Sequence, residues 1–322
     1  MSVREATLKR IEDAHRFGAF YRGYLANHLP MALVALDHLG ADDATLESFE
    51  RAHRETHLEP IGNDPGFQRD VEGFEARIAR AGTVYVLREE IDRLATGMGS
   101  GAFHGAIRTA YAMQSGSDRE VAHALAYWSR AFESLPPPPE LTGHQTPFEV
   151  LASIARNPPF AKPPGKNIAE RLQAAAKDPS FRSLVAQVDR AKLSVASLAA
   201  ALIRAYAASS NFTVLHGVTG THAFRLLSEH SNDPGLALAH LWQAVVAAYL
   251  GAGSPAVEGV ALPGSDALDW AAIRERAVRC SDEHDVKLAY SCWCEGEHYG
   301  DDLYRRVASS VVCHALAETV DC

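Results

Sequence analysis

Cysteine is scarce in this sequence and confined to one end. The chain has five cysteines in 322 residues, and none occurs before Cys280. An odd number of cysteines restricted to the last part of a chain cannot cross-link the whole fold. We therefore expect reduced thiols and a cytoplasmic location, because disulfides persist mainly in oxidising compartments.

Long apolar runs and clusters of positive charge are also missing. The longest apolar stretch, residues 236–252, is interrupted by His240 and Gln243 and is too short to predict a membrane span. The first residues are charged and lack the apolar core of a signal peptide. The net charge is −9 and lysine and arginine form no cluster, so we expect neither a membrane nor a nucleic acid as a partner.

The alternation of apolar and polar residues that marks β-strands is absent as well. Apolar residues recur instead at helical spacing along almost the whole chain, which predicts an all-α fold. Leu33, Leu36 and Leu39 mark a second helix that is expected to end at Gly40. Asp42 or Asp43 is expected to cap a third helix, which carries Leu46 and Phe49. Further helices are predicted over residues 71–80, 85–95, 104–114, 119–132, 148–156, 168–176, 181–188, 193–209, 212–229, 235–250, 270–279, 284–294 and 301–320.

Two connections are rich in proline or glycine. Pro136 to Pro139 begin a stiff, Pro-rich connection that runs to about Gly165 and contains one short helix. The second connection covers residues 252–266. We predict one large multi-helix domain over residues 1–322 with a long Pro-rich crossing loop, because neither half alone offers enough self-contained helix pairs.

Two groups can be distinguished among the fifteen histidines by their sequence neighbours. His28, His104 and His216 lie among apolar residues. A buried imidazole needs a partner for both nitrogens, which either a metal ion or core hydrogen bonds provide. His222 is interpreted as structural. A second group has charged or polar neighbours and is predicted to face solvent: His15, His53, His57, His123 and His298.

A fourth histidine of interest lies at the start of a predicted helix. Ser281 is a plausible N-cap, which places His284 and Lys287 one turn apart on the same face. His104 and His216 are each followed by glycine inside helical sequence, where glycine costs about 1 kcal/mol relative to alanine. Such a glycine often permits the close approach of a second helix or a ligand.

The sequence around these histidines resembles the questin oxidase-like family. The resemblance rests on four segments in order: Asn27-His28-Leu29-Pro30-Met31-Ala32, Phe103-His104-Gly105-Ala106-Ile107-Arg108, Leu215-His216-Gly217-Val218-Thr219-Gly220 and His284-Asp285-Val286-Lys287. It implies an oxygenase of aromatic, polyketide-like or quinone-like compounds, acting by oxygen insertion or ring cleavage with NADPH as electron donor.

The resemblance also implies a set of site residues. The metal ligands would be His28, His104, His216, His284 and Lys287, and Asn27, Arg108 and Lys287 would take part in catalysis. Imidazole suits iron, zinc and copper, and chemistry with dioxygen favours Fe(II). Four neutral imidazoles leave the charge of iron uncompensated. A buried, neutral Lys287 could add carbon dioxide and become an anionic carbamate ligand, although a lysine that reaches solvent fits the pattern equally well.

Two other functions remain open at this point. A di-iron carboxylate bundle uses Glu-x-x-His pairs on facing helices, and four such pairs occur: Glu12/His15, Glu50/His53, Glu120/His123 and Glu295/His298. A helical scaffold without catalytic activity is the other alternative. The glycine-rich residues 97–101 follow a helix rather than a strand, so they predict a turn and not a dinucleotide site. The expected partners are a small aromatic substrate and dioxygen, with self-association into a homo-oligomer left open.

Overall fold

The computed structural model describes residues 2–22, 25–58, 64–259 and 267–318. Within these ranges the regular secondary structure consists of helices, one short antiparallel hairpin, β1 (Phe20–Tyr21) and β2 (Leu25–Ala26), and two isolated β-bridges. The all-α class is confirmed. The sequence does not predict the hairpin, because strands of two residues are too short to show an alternating pattern.

The helices of the described ranges are α1 (Glu5–Ala14), α2 (Leu29–Leu39), α3 (Asp43–His57), α4 (Pro65–Ala81), α5 (Thr83–Leu94), α6 (His104–Ser115), α7 (Asp118–Arg130), α8 (Pro147–Arg156), α9 (Ile168–Ala176), α10 (Phe181–Val185), α11 (Val195–Ser209), α12 (Phe212–Leu227), α13 (Pro234–Gly251), α14 (Trp270–Ala277), α15 (Glu283–Tyr299) and α16 (Asp302–Glu318). Most of these helices begin and end within about three residues of the predicted positions, but α4 begins six residues earlier and α15 ends five residues later than predicted.

Local signals at the helix ends explain this agreement. Gly40 ends α2 with a φ of 98°, a conformation that glycine adopts without strain. Asp42 caps α3, as predicted, by accepting a hydrogen bond from the backbone N–H of Thr45. For α15 the cap is Asp282 rather than the predicted Ser281, because the Asp282 carboxylate accepts a hydrogen bond from the N–H of His284.

The chain forms two compact units, and each is discontinuous in sequence. Unit 1 comprises Met1–Val86, Ile107–Arg130 and Pro263–Cys322, and unit 2 comprises Leu87–Ala106 and Ala131–Leu262. Neither unit therefore corresponds to a separable stretch of chain. The assignment of residues 1–322 to a single domain stays a prediction.

In unit 1, α2 packs against α1, α3 and α15, while α15 also packs against α14 and α16. Helix α2 is buried on nearly all sides, and its leucines 33, 36 and 39 lie in the core. This central position of α2 brings the N-terminal ends of α2 and α15 together. The cysteines at 280, 292, 294 and 313 are free thiols, as expected.

In unit 2, α13 is the central helix and packs against α8, α9, α10 and α12. Its apolar sequence reflects burial within the protein, and no helix of the described ranges is long and apolar enough to cross a membrane. Residues 136–146 of the Pro-rich connection contain no helix. The second predicted connection is described only up to residue 259, and its residues 260–266 lie outside the described ranges, as does Cys322.

Candidate active site

Unit 1 contains a buried group of imidazoles around one carboxylate. His28 immediately precedes α2, His53 lies on α3, and Glu283 and His284 begin α15. His28, His53 and Glu283 are each at least nine-tenths buried, and His284 is half-buried. Helices α2, α3 and α15 thus place four polar side chains together.

The carboxylate of Glu283 is the centre of this group. Its Oε1 lies 2.9 Å from Nδ1 of His28 and 3.7 Å from Nδ1 of His284. Its Oε2 lies 3.9 Å from Nδ1 of His53. The rings of His28 and His284 meet edge to face, with their centroids 4.8 Å apart. One carboxylate therefore faces three imidazoles.

Burial and charge determine how these groups ionise. Burial lowers the pKa of His53 to about 4, although the nearby charge of Glu283 opposes this effect. Burial alone would raise the pKa of Asp282, but hydrogen bonding to His284 lowers it to about 2. His53 is therefore neutral and Asp282 is negatively charged at neutral pH.

Lys287 is buried one turn after Glu283, with 2% of its surface exposed. Its amine does not reach solvent, so the surface alternative for this lysine is wrong. Burial lowers its pKa to about 8, while the charges of Glu283 and Asp282 act in the opposite direction. About a tenth of the amine is thus neutral at pH 7, far more than for a lysine with an ordinary pKa.

Unit 2 contains a second pair of buried histidines, His104 and His216. His104 is the first residue of α6 and follows a turn over residues 98–103, as predicted for this glycine-rich segment. His216 lies on α12. The two ring centroids are 5.0 Å apart, and the rings meet edge to face. A Cβ on Gly217 would lie 3.1 Å from Leu202 Cδ2, so this glycine permits the close approach of α11 and α12.

The four predicted histidine ligands share one feature. Nδ1 of His104 lies against the carbonyl oxygen of Gly101, and Nδ1 of His216 lies 2.8 Å from that of Phe212. Nδ1 of His28 lies 2.9 Å from a carboxylate oxygen of Glu283, and Nδ1 of His284 lies 2.9 Å from one of Asp282. An oxygen that fixes Nδ1 orients the ring so that Nε2 is the metal-binding nitrogen. The buried His222 also lies on α12, and its structural interpretation stays a prediction.

The prediction of surface histidines is wrong at three positions. His15, His53 and His123 are buried, whereas His57 is half-buried and His298 is exposed. Charged neighbours in sequence do not report which face of a helix is buried. The set of ligands and catalytic residues predicted from the sequence also did not include Glu283. The available signal was its position at the start of α15, directly before His284 and four residues before Lys287.

The side chain of Asn27 forms hydrogen bonds to backbone atoms. Its Oδ1 accepts a hydrogen bond from the N–H of Leu29, and its Nδ2 donates one to the carbonyl of Gly18. Both distances, 3.0 and 3.1 Å, are ordinary. The side chain thus secures the start of α2 and the orientation of His28. A catalytic role for Asn27 stays a prediction.

Arg108 belongs to a separate buried cluster in unit 1. Its Nε lies 3.0 Å from Oε1 of Glu120, whose Oε2 lies 2.6 Å from Nε2 of His15. The rings of His15 and His123 stack with a centroid distance of 3.7 Å. The Glu120/His123 pair therefore lies in this cluster, whereas only His15 of the Glu12/His15 pair does, because Glu12 is exposed. The guanidinium already neutralises Glu120, so the cluster is a poor site for metal cations, and a catalytic role for Arg108 stays a prediction.

Comparison with known proteins places the chain in a family. The model of questin oxidase-like proteins matches residues 25–292, which include all five predicted metal ligands. A search of curated proteins finds no match. The match covers both units and far more than half of the chain. The protein belongs to the questin oxidase-like family and is accordingly an oxidoreductase.

Proposed function

We propose that this oxidoreductase is a non-haem iron oxygenase that inserts oxygen into an aromatic substrate or cleaves its ring. The substrate would be related to polyketides or quinones. The orientation of the four predicted histidines supports metal binding. Nδ1 of each lies within hydrogen-bond distance of a carboxylate or carbonyl oxygen. Carboxylate and carbonyl oxygens in this position are the usual partners of metal-binding histidines.

The residues fit a divalent cation. We propose His28, His104, His216 and His284 as its nitrogen ligands, and Fe(II) as the ion. Iron held by these residues would activate dioxygen. Glu283, beside His28, supplies negative charge that lowers the cost of a buried cation. Asp282 does the same beside His284.

Lys287 is proposed as the anionic oxygen ligand, after it adds carbon dioxide. The neutral amine would attack the carbon of CO₂, a C–N bond would form, and one proton would leave to solvent. Burial of Lys287 and its lowered pKa support this role, because only the neutral amine reacts. Glu283 is the alternative anionic ligand, and the variants described in the Discussion separate the two.

NADPH is proposed as the source of electrons if one oxygen atom is inserted. One atom of dioxygen would then enter the product and the other would leave as water, with NADPH and one proton consumed. A dioxygenase would instead place both atoms in the product without a reductant. Turnover under ¹⁸O₂ with and without NADPH, followed by mass spectrometry of the product, distinguishes the two reactions.

Metal analysis tests the proposal most directly. We expect about one iron per chain in protein purified from unsupplemented cells. The alanine variants of His28, His104, His216 and His284 should each lose most of it. Full iron occupancy in any one of these variants would remove that histidine from the ligand set. Two irons per chain would support the di-iron alternative, and no metal would support a binding scaffold.

A further inference from the structure

Unit 2 contains an open groove of about 940 Å³ that is separate from its histidine pair. One wall is the start of α13, including Leu236, Ala239 and His240, and the other is the Pro-rich segment from Ser134 to Leu141. The volume is within the range of small-molecule sites. Leu236 is 52% exposed, so the groove presents apolar surface to solvent.

The Pro-rich wall is held in place by hydrogen bonds. The carbonyl of Pro136 accepts one from Nε2 of Gln243 at 2.6 Å, and the carbonyl of Pro137 accepts one from Arg182 at 2.8 Å. The N–H of Leu135 donates to the carbonyl of Thr96. Because proline also restricts the backbone, this wall is formed before any ligand binds.

His240 lines the groove and carries a buried polar atom. Its side chain is more than nine-tenths buried, and in the described part of the chain its Nδ1 has no hydrogen-bond partner. Burial lowers the pKa of this imidazole, so it is neutral at pH 7. A buried nitrogen without a partner is costly unless a ligand or water satisfies it.

Arg190 provides a positive charge at the same groove. A Cβ on residue 235 would lie 2.7 Å from its Nη2, so Gly235 allows the guanidinium to approach the first turn of α13. Among the described residues Arg190 forms no ion pair. The lining carboxylate of Asp233 already caps α13 by accepting a hydrogen bond from the N–H of Leu236, and the other lining carboxylate is Glu140.

We propose that this groove binds an aromatic carboxylate. The carboxylate would pair with Arg190, and the ring would lie against Leu236 and the prolines. A hydroxyl group at the far end of the ring would hydrogen-bond to Nδ1 of His240. Leu236 and His240 are one helical turn apart, roughly 6 Å along the axis, which a bicyclic ring spans. The inference does not depend on the proposed function, because neither the metal nor its ligands take part.

Isothermal titration of the metal-free full-length chain with 6-hydroxy-2-naphthoate tests this proposal. We expect saturable binding of one molecule per chain. Arg190→Gln should weaken binding about 10-fold, since a hydrogen bond to a charged group is lost. Arg156→Gln, which changes an exposed arginine elsewhere in unit 2, should bind normally. The uncharged 6-hydroxy-2-naphthamide should bind equally to the natural protein and to Arg190→Gln.

Nitrogen NMR of ¹⁵N-histidine-labelled protein tests the contact with His240. The Nδ1 signal of His240 should shift with 6-hydroxy-2-naphthoate and much less with 2-naphthoate, which lacks the hydroxyl group. Absence of saturable binding, or equal affinity in the natural protein and Arg190→Gln, would overturn the proposal. These measurements do not involve iron, so their failure is distinguishable from failure of the proposed oxygenase.

Discussion

Glu283 is the residue on which the histidine group of unit 1 depends. It faces His28, His53 and His284 at distances between 2.9 and 3.9 Å. A carboxylate on Nδ1 of a metal-binding histidine fixes the ring and increases its basicity. The arrangement therefore couples the orientation of His28 to the charge at the start of α15.

Glu283→Gln should lower iron affinity by about 10- to 100-fold, because the amide keeps the shape of the side chain but not its charge. Iron content and competition with a chelator measure this effect. Glu275→Gln is the matched control, since Glu275 is an exposed residue of α14 in the same unit. Unchanged affinity in Glu283→Gln would show that the carboxylate does not support the metal.

Substitutions of Lys287 test whether it forms a carbamate. Lys287→Arg should fail to bind iron, because a guanidinium neither adds carbon dioxide nor coordinates a cation. Lys287→Glu should restore part of the binding, since it supplies a carboxylate oxygen. Removal of bicarbonate during reconstitution should lower iron uptake by the natural protein but not by Lys287→Glu. Normal iron content and turnover in Lys287→Arg would exclude the carbamate, and the anionic component would then be Glu283, Asp285 or bound substrate.

Replacement of His53 should reduce stability, because its ring is buried and not exposed as its charged sequence neighbours predict. His53→Ala removes a buried ring and should lower the free energy of unfolding by about 1–3 kcal/mol, whereas His298→Ala on the surface should change it by less than about 0.5 kcal/mol. The folded pKa of His53 is about 4, below its usual 6.5. The native protein should therefore lose stability as pH falls from 6.5 to 4, and His53→Ala should lose less. Urea unfolding across this pH range measures both effects.

At the scale of elements, close packing positions the turn before α6. A Cβ on Gly220 of α12 would lie 2.9 Å from Cβ of Phe103, which adopts a φ of 68° immediately before His104. Neither atom is at the end of a flexible side chain. The helix and the turn therefore fit together only because position 220 lacks a side chain.

Gly220→Ala should therefore destabilise the protein by about 1–3 kcal/mol, through overpacking. The same change at Gly73, within α4, meets no atom within 4 Å and should stabilise the protein by about 0.5–1 kcal/mol, because alanine favours a helix more than glycine does. Thermal unfolding of the two variants provides the comparison. Equal effects would show that the α12 contact relaxes without cost.

At the scale of the whole molecule, the two units are discontinuous in sequence. The chain passes from one unit to the other at four positions, and two of these lie inside α5 and α6. Melting either unit would fray a helix that continues into the other. We expect one cooperative calorimetric transition, with equal calorimetric and van't Hoff enthalpies. Two resolved transitions would show that the units unfold independently.

The sequence by itself determined the all-α class and most helix positions. Apolar periodicity and capping residues act over a few neighbouring residues, so Gly40 and Asp42 mark helix ends directly. The family resemblance also selected His28, His104, His216, His284 and Lys287 from the sequence, and the family match spans all five.

Only the tertiary structure decided which polar residues are buried and what they face. Glu283 reaches His28 across 255 positions of sequence, and His53 joins them from α3. His15 pairs with Glu120 in the same way, across 105 positions. Whether a helix face with charged residues is buried depends on the elements that pack against it. The periodicity of one segment does not indicate which elements those are.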